Sequence, residues 1–126
     1  MLEIREAIPS DIDAIWELIL GLAEYEKALD QVKTTKEQVA KEIFQGDVAK
    51  CHVAEINGEV IGIAQWFLNY STWTGVPGVY LEDLYVKPEY RGQGAGLALM
   101  KELARLCVKN GYADRKSTRL NSSHLG

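Results

Sequence analysis

The 126-residue chain lacks the features that several large classes of protein require. No stretch approaches the ~20 apolar residues of a membrane span, and residues 1–6 have neither the basic start nor the apolar run of a secretory signal. Cys51 and Cys107 are the two cysteines, and neither has a neighbour at metal-ligand spacing. We therefore expect a cytoplasmic protein with two reduced core cysteines, no metal site and no membrane partner.

Positive charge is also in short supply. The chain has 14 Lys and Arg residues against 18 Asp and Glu, which gives a formal net charge of −4. This balance argues against nucleic acid as the main partner and favours a cationic one. The hydrophobic content of 47% and the charged content of 25% are those of a globular protein, and the length fits a single domain.

The segment Asp114–His124 differs in character from the rest of the chain. It has almost no apolar content, and it back-translates codon for codon into a common sequencing-library adapter. Segments of such origin are kept out of fold reasoning. We expect residues 1–113 to form a partial domain and residues 114–126 to be a non-native, disordered tail. The tail holds three cations and one acid, so residues 1–113 carry a formal charge of −6.

Hydrophobic periodicity predicts the order β-α-α-β-β-β-α for residues 1–113. A first helix is predicted to begin at Ser10, as a side-chain cap with Asp13 three residues on, and to run to about Lys27. A second helix is predicted from Thr34-Thr35 to about Gly46. Consecutive strands outnumber crossovers, so the fold class is an α/β layered domain with a mainly antiparallel mixed sheet flanked by helices.

The predicted strands are short and separated by turn residues. They cover residues 2–5, 51–56, 60–68 and 79–86. Asn57-Gly58 suits the positive φ angles of a type I′ hairpin between the second and third strands. A last helix follows residue 96, and Asn110-Gly111 is expected to end it.

A glycine loop, residues 91–96, lies between the last predicted strand and the last helix. Alternating glycines let the backbone turn tightly and bring its N–H groups close to a ligand, and the helix N-terminus favours an anion at the same place. The pattern therefore predicts an anion-binding loop, most simply for a pyrophosphate. A dinucleotide-binding loop would have a different glycine spacing, and a Walker loop would need a Lys-Ser/Thr pair.

The residues around this loop carry a specific resemblance. The run from Tyr80 to Gly96, with Arg91, Gly94 and Gly96 at the positions of Arg/Gln-x-x-Gly-x-Gly/Ala, resembles the strand-and-loop motif of the GNAT superfamily of N-acetyltransferases. Residues 22–27, 30–32 and 70–73 are similar to its diamine (spermidine/spermine) acetyltransferase branch, and within it to the thialysine acetyltransferase subgroup. The similarity extends over essentially all of residues 1–113.

The resemblance implies acetyl-CoA as co-substrate. In the family, the pantetheine arm pairs with the backbone of the strand that holds the acidic motif, and the pyrophosphate lies on the glycine loop. The implied strand positions are Leu84, Tyr85 and Val86. The implied loop positions are Arg91, Gly92, Gln93, Gly94, Ala95, Gly96 and Leu97.

The resemblance also implies direct attack on the acetyl group by a neutral primary amine. Glu82 matches the general-base position, acting directly or through water. Asp83 is next to it, and successive residues of a strand point to opposite faces. The two acids therefore share a site only if a β-bulge intervenes.

Substrate selection is implied to rest on acids and aromatics. Tyr25 and Glu26 match positions that hold the cationic chain, and Trp73 matches an aromatic of the amine channel, where a cation–π contact is possible. The polyamine enzymes carry an acid where this chain has Ser71. That departure shifts the expected substrate from a long polyamine towards a shorter diamine or a lysine-like amine.

Two further expectations follow from the resemblance. The family's general acid, a tyrosine on a helix beyond a fifth strand, has no counterpart in residues 1–113, so we expect the fragment to bind acetyl-CoA poorly and to turn over little. A homodimer is usual in the branch. The alternatives are a protein lysine or N-terminal acetyltransferase, a non-catalytic CoA-binding module of the same fold and, more distantly, a nucleotide-binding protein.

Overall fold

A computed structural model of the chain describes residues 1–115, with side chains described to residue 113. This part of the chain contains five strands and three helices longer than one turn. In chain order the elements are β1 (Leu2–Glu6), α1 (Ile12–Tyr25), α2 (Lys36–Phe44), β2 (Lys50–Ile56), β3 (Glu59–Tyr70), β4 (Pro77–Val86), α3 (Ala95–Asn110) and β5 (Ala113–Arg115).

The strands form one sheet in the order β1-β2-β3-β4-β5. The first four are antiparallel, and β5 pairs parallel with β4 at residues 78–80. The predicted α/β class and the order of elements up to α3 are confirmed. The sequence predicted no strand after α3, whereas the structure adds β5, because Gly111 at φ 71° turns the chain back along β4.

Residues 114 and 115, which the sequence assigned to a disordered tail, belong to this short strand. The remainder of that prediction, residues 116–126, lies outside the described residues.

The sheet separates two hydrophobic clusters. On one face, α3 packs Leu99, Leu103 and Cys107 against β3 and β4. On the other face, α1 packs its buried residues against the sheet, and α2 packs partly buried ones beside it. The α1-face cluster consists of Ile15, Leu18, Leu22, Cys51, Val53, Val60, Ile63 and Tyr85.

Several local signals act as predicted. The Thr35 hydroxyl accepts a hydrogen bond from the Gln38 N–H at 3.1 Å and caps α2. Asn57 and Gly58 take φ values of 52° and 85° in the turn between β2 and β3. Cys51 and Cys107 are free and buried, and burial raises the pKa of the Cys51 thiol to about 12.

The predicted cap of α1 is wrong. Ser10 lies inside a 3-10 turn, Pro9–Asp11, and α1 begins at Ile12. The carboxylate of Asp11 accepts the Ile8 N–H at 2.8 Å and pairs with Arg5 at 2.8 Å. Asp11 takes the role predicted for Ser10, because its carboxylate binds both the Ile8 N–H at the start of the turn and the Arg5 guanidinium of β1. Within residues 1–115, no helix is long and apolar enough to cross a membrane.

Candidate active site

A β-bulge in β4 decides where the two predicted acids lie. Asp83 pairs with Gln65 and Leu81 pairs with Trp66, so Glu82 is an extra residue between two paired positions of β3. The bulge breaks the alternation of faces at this point. Glu82 and Asp83 both line one cavity of about 330 Å³, so the two adjacent acids share a site.

The sheet, α1 and α2 form the walls of this cavity, which we call the acidic cavity. Its polar lining consists of oxygen-rich side chains, and within the described residues no Lys or Arg lines it. Its apolar lining includes Ile19, Val39 and Ile43. Such a lining suits an alkyl chain that carries positive charge. The polar residues are Thr34, Gln38, Glu42, Gln65, Glu82 and Asp83.

A second cavity, of about 250 Å³, adjoins the first. Asp83 and Ile19 line both cavities, and Glu26 lines the second. The structure therefore brings Glu26, Asp83 and Glu82 to neighbouring spaces on the α1 side of the sheet.

The two aromatic residues predicted to bind the amine lie elsewhere. The ring of Tyr25 contacts the guanidinium of Arg91, at 4.9 Å from its centroid. Trp73 is 97% exposed in the connection between β3 and β4, where its backbone N–H donates to the Ser71 hydroxyl at 3.1 Å. The described residues bring neither aromatic to the acidic cavity, and their role in amine binding stays a prediction.

The glycine loop turns at Gly92 and Gly94 as its sequence predicts, whereas α3 begins at Ala95, so Gly96 lies in the helix and not in the loop. Gly92 and Gly94 take φ values of 85° and 84°, and a Cβ at either position would meet nothing within 4 Å. Glycine is therefore required there by backbone conformation and not by crowding. Gly94 is the N-cap of α3, so the N-terminal N–H groups of the helix receive no side-chain cap from this position.

Arg91 anchors the loop to the end of β4. Its Nε donates to the Val86 carbonyl at 3.0 Å, and its guanidinium lies 4.9 Å from the Tyr25 ring and 5.2 Å from the Tyr85 ring. Its Nη2 is buried and, within the described residues, has no hydrogen-bond partner. A buried cationic donor without a partner costs about 1–3 kcal/mol or more, so this atom fits an anionic group on the loop.

The backbone predicted to meet the pantetheine arm leads directly into the glycine loop. Leu84, Tyr85 and Val86 pair with β3 along one edge of β4. On the other edge, the described part of the ladder with β5 covers residues 78–80. The segment 84–86 ends β4 and is followed by residues 91–96 of the loop after one short turn. The loop and the strand together suit a long ligand that carries an anionic group in its middle, such as acetyl-CoA.

Sequence reasoning missed two parts of the site. Gln38 and Glu42 of α2 line the acidic cavity and hydrogen-bond to each other at 3.0 Å, and a surface helix with polar residues gives no signal for this. Gly21 lies inside α1, where a Cβ would be 3.0 Å from Cε2 of Tyr85. An isolated glycine in a helical pattern is the signal for such a packing constraint.

In residues 1–115 no cluster of three His, Cys, Asp or Glu side chains is placed to hold a metal ion.

Comparisons with known proteins agree with this geometry. The model of the acetyltransferase (GNAT) family matches residues 13–122. The thialysine N-epsilon-acetyltransferase of Bos taurus is 44% identical over 86% of the chain and 68% of its own length. The spermidine/spermine N(1)-acetyltransferase-like protein 1 of Homo sapiens is 33% identical over 84% of the chain and 16% of its own length.

A solved structure shares the fold at low identity. The ribosomal-protein-alanine N-acetyltransferase from Brucella melitensis biovar Abortus 2308 superposes with a TM-score of 0.75 at 17% identity, over 98% of this chain and 85% of that one. The family match, the similar relatives and the strand-and-loop geometry lead to one conclusion: the chain belongs to the GNAT family of acetyltransferase enzymes.

Proposed function

We propose that the chain is an acetyl-CoA-dependent N-acetyltransferase that acts on a primary amine of a small diamine, polyamine or lysine-like substrate. The bulge at Glu82 carries the proposal, because it allows two adjacent acids to line the same cavity. Both acids lie on β4, the strand that leads to the predicted anion-binding loop. The names of the bovine and human relatives, which refer to thialysine and to spermidine/spermine, support an amine of this kind.

The loop and the strand edge would hold the co-substrate. Donors and acceptors for it would come from the buried Nη2 of Arg91, the N–H groups of residues 92–97 and the backbone of residues 84–86. When bound, acetyl-CoA would supply the thioester carbon that the amine attacks, so that a C–N bond replaces the C–S bond and CoA leaves as a thiolate that takes up a proton. Holding the two reactants together can lower the barrier by ~7–11 kcal/mol.

The acids would bind and deprotonate the amine. An alkyl ammonium has a pKa near ~10.4 and must lose a proton before it can attack. Glu82 accepts that proton, directly or through a water molecule, and Asp83 and Glu26 stabilise the cationic part of the substrate. The apolar side chains of the acidic cavity contact the methylene groups. A homodimer, Tyr25 and Trp73 as amine-binding residues, and a cytoplasmic location stay predictions.

The test of this proposal is Glu82→Gln. The substitution keeps the size of the side chain and removes the base, so we expect thiol release with putrescine, spermidine or thialysine to fall ~10²- to 10⁴-fold. Asp83→Asn is the matched control, and we expect it to raise the KM for the amine more than it lowers kcat. Acetyl-CoA affinity should change in neither variant.

Three results would contradict the proposal. A rate of Glu82→Gln within about twofold of the wild-type rate excludes Glu82 as the general base. Because little turnover is expected of residues 1–113, slow acetylation alone does not decide; acetyl-CoA binding with no amine turnover above the uncatalysed rate supports the non-catalytic module. Turnover of lysine peptides in place of small amines supports the protein acetyltransferase.

A further inference from the structure

We infer that Tyr25 is a positioning residue for the acetyl-CoA loop, acting through a stack in which its ring and that of Tyr85 hold the guanidinium of Arg91. The inference rests on the proposed function, because it assigns Tyr25 to the co-substrate side of that site. It differs from the amine-binding role that the sequence predicted for Tyr25.

The first step is the position of the guanidinium. Its central carbon lies 4.9 Å from the centroid of the Tyr25 ring and 5.2 Å from that of the Tyr85 ring. Both distances are within the range of cation–π contacts. Nε of Arg91 is fixed to the Val86 carbonyl at 3.0 Å. The side chain is therefore held by two rings and one backbone acceptor.

The second step is the way in which α1 builds this stack. Gly21 and Tyr25 are four residues apart on α1, so they lie on one face of the helix. Three atoms of the Tyr85 side chain, two in the ring and the hydroxyl oxygen, lie within 3.2 Å of the place where a Cβ on Gly21 would be. Glycine at this position admits the Tyr85 ring against the helix, and Tyr25, one turn on, supplies the second ring for Arg91.

The third step concerns Nη2 of Arg91, the donor that the contacts with the two rings leave without a hydrogen-bond partner. Within the described residues, Nη2 of Arg91 is buried and has no hydrogen-bond partner. Aromatic faces attract the cation but accept no strong hydrogen bond from it. Burial raises the pKa of the Tyr85 hydroxyl, and the guanidinium, which also interacts with that hydroxyl, acts in the opposite direction. Nη2 still keeps no partner within the described residues. A donor fixed before the ligand arrives loses less entropy on binding. Tyr25 thus prepares Arg91 for an anionic group of the co-substrate.

The experiment measures acetyl-CoA affinity by calorimetry on the 126-residue chain with Tyr25→Leu and Tyr25→Phe. Leucine removes the aromatic face, and we expect the Kd for acetyl-CoA to rise about tenfold. Phenylalanine keeps the face, so its Kd should stay within about twofold of wild type. Tyr70→Leu is the control, because Tyr70 is an exposed tyrosine at the far end of β3. The Kd for the amine should not move.

A double-mutant cycle separates positioning from a general structural effect. In an Arg91→Gln background the stack has no cation, so Tyr25→Leu should cause no further loss of acetyl-CoA affinity. Gly21→Ala gives an independent route, because its Cβ displaces the Tyr85 ring. We expect it to weaken acetyl-CoA binding and to leave amine binding unchanged.

Each other outcome overturns the inference in a recognisable way. Wild-type acetyl-CoA affinity in Tyr25→Leu, or an equal loss with and without Arg91, excludes the positioning role. A rise in the Kd for the amine alone assigns Tyr25 to the substrate, as the sequence predicted. If the wild-type chain binds no acetyl-CoA, the proposed function fails, and the inference fails with it.

Discussion

His52 shows how much chemistry a single core residue can carry. It is 3% exposed on the α3 face of the sheet, and its Nδ1 accepts the indole N–H of Trp66 at 3.0 Å. Indole is only a donor, so the contact requires an unprotonated Nδ1. Burial lowers the pKa of His52, Arg105 lowers it further, and Glu6 and Glu102 act in the opposite direction. The folded chain therefore holds this imidazole neutral.

The prediction at this scale concerns stability against pH. The unfolded chain takes up a proton on His52 near pH 6.5, whereas the folded chain resists it. The stability that neutral His52 contributes is therefore fully present above that pH. This contribution is lost as the pH falls through 6.5 towards the lower pKa of the folded state, by at most ~1.4 kcal/mol per pH unit. Urea unfolding between pH 8 and pH 5 measures the slope.

The control for this prediction is His52→Gln, which keeps an acceptor for the indole and cannot titrate. Its stability should change less with pH over the same interval, and an identical slope in both proteins would contradict the assignment. The carboxyl groups with lowered pKa values are Asp11, Glu59 and Glu102, and their reference values are 3.8 to 4.5. They begin to titrate in the unfolded chain only at the acid end of this window, and they contribute equally in both proteins.

At the scale of elements, the sequence predicts order well and register poorly. The strands, the Asn57-Gly58 turn and the Thr35 cap follow from local patterns, because each depends on neighbours in the chain. The bulge at Glu82 depends on how β4 pairs with β3, and no local pattern of β4 specifies that. The same limit explains Ser10, which lost its capping role because Arg5 of β1 pairs with Asp11 instead.

The site has the same division between local and long-range information. The positive φ values of Gly92 and Gly94 and the helix start beside them could be predicted, since these are local properties. The exact start of the helix could not, because Gly96, which the sequence placed in the loop, lies in the first turn of α3. Tyr25 and Arg91 are far apart in the sequence, so their contact appears only when α1 lies against β4. Long-range packing thus decides which predicted site residues meet.

Helix α2 gives the prediction at this scale. It has no buried residue, yet Gln38, Val39 and Ile43 line the acidic cavity. We expect Thr35→Ala to remove the cap and to destabilise the helix by ~1 kcal/mol. The change should appear as faster amide hydrogen exchange in α2 than in α3. Thr35→Ser keeps the hydroxyl and should restore slow exchange, and equal acceleration in both helices would exclude a local effect.

At the scale of the whole molecule, both faces of the sheet carry a buried cluster, and both cavities lie on one of them. The α3 face buries residues such as Leu99 and Val86, whereas the α1 face combines its own buried cluster with the two cavities and the aromatic stack. β4 contributes to both faces, because some of its side chains enter the α3-face cluster while Glu82 and Asp83 line the acidic cavity and Tyr85 packs on the α1 face. A ligand along β4 should therefore stabilise the fold as a unit.

The corresponding prediction is ligand-dependent stability. Acetyl-CoA at ~100 times its Kd should raise the free energy of unfolding by ~2.7 kcal/mol, because it binds the folded chain alone. Pantetheine, which has the arm without the pyrophosphate, should stabilise less, since it leaves the donors of the loop and Nη2 of Arg91 unused. Urea unfolding with each ligand measures both. If ATP raised the free energy of unfolding as much as acetyl-CoA, the loop would be assigned to a nucleotide. If pantetheine raised it as much as acetyl-CoA, the loop would not be part of the binding site.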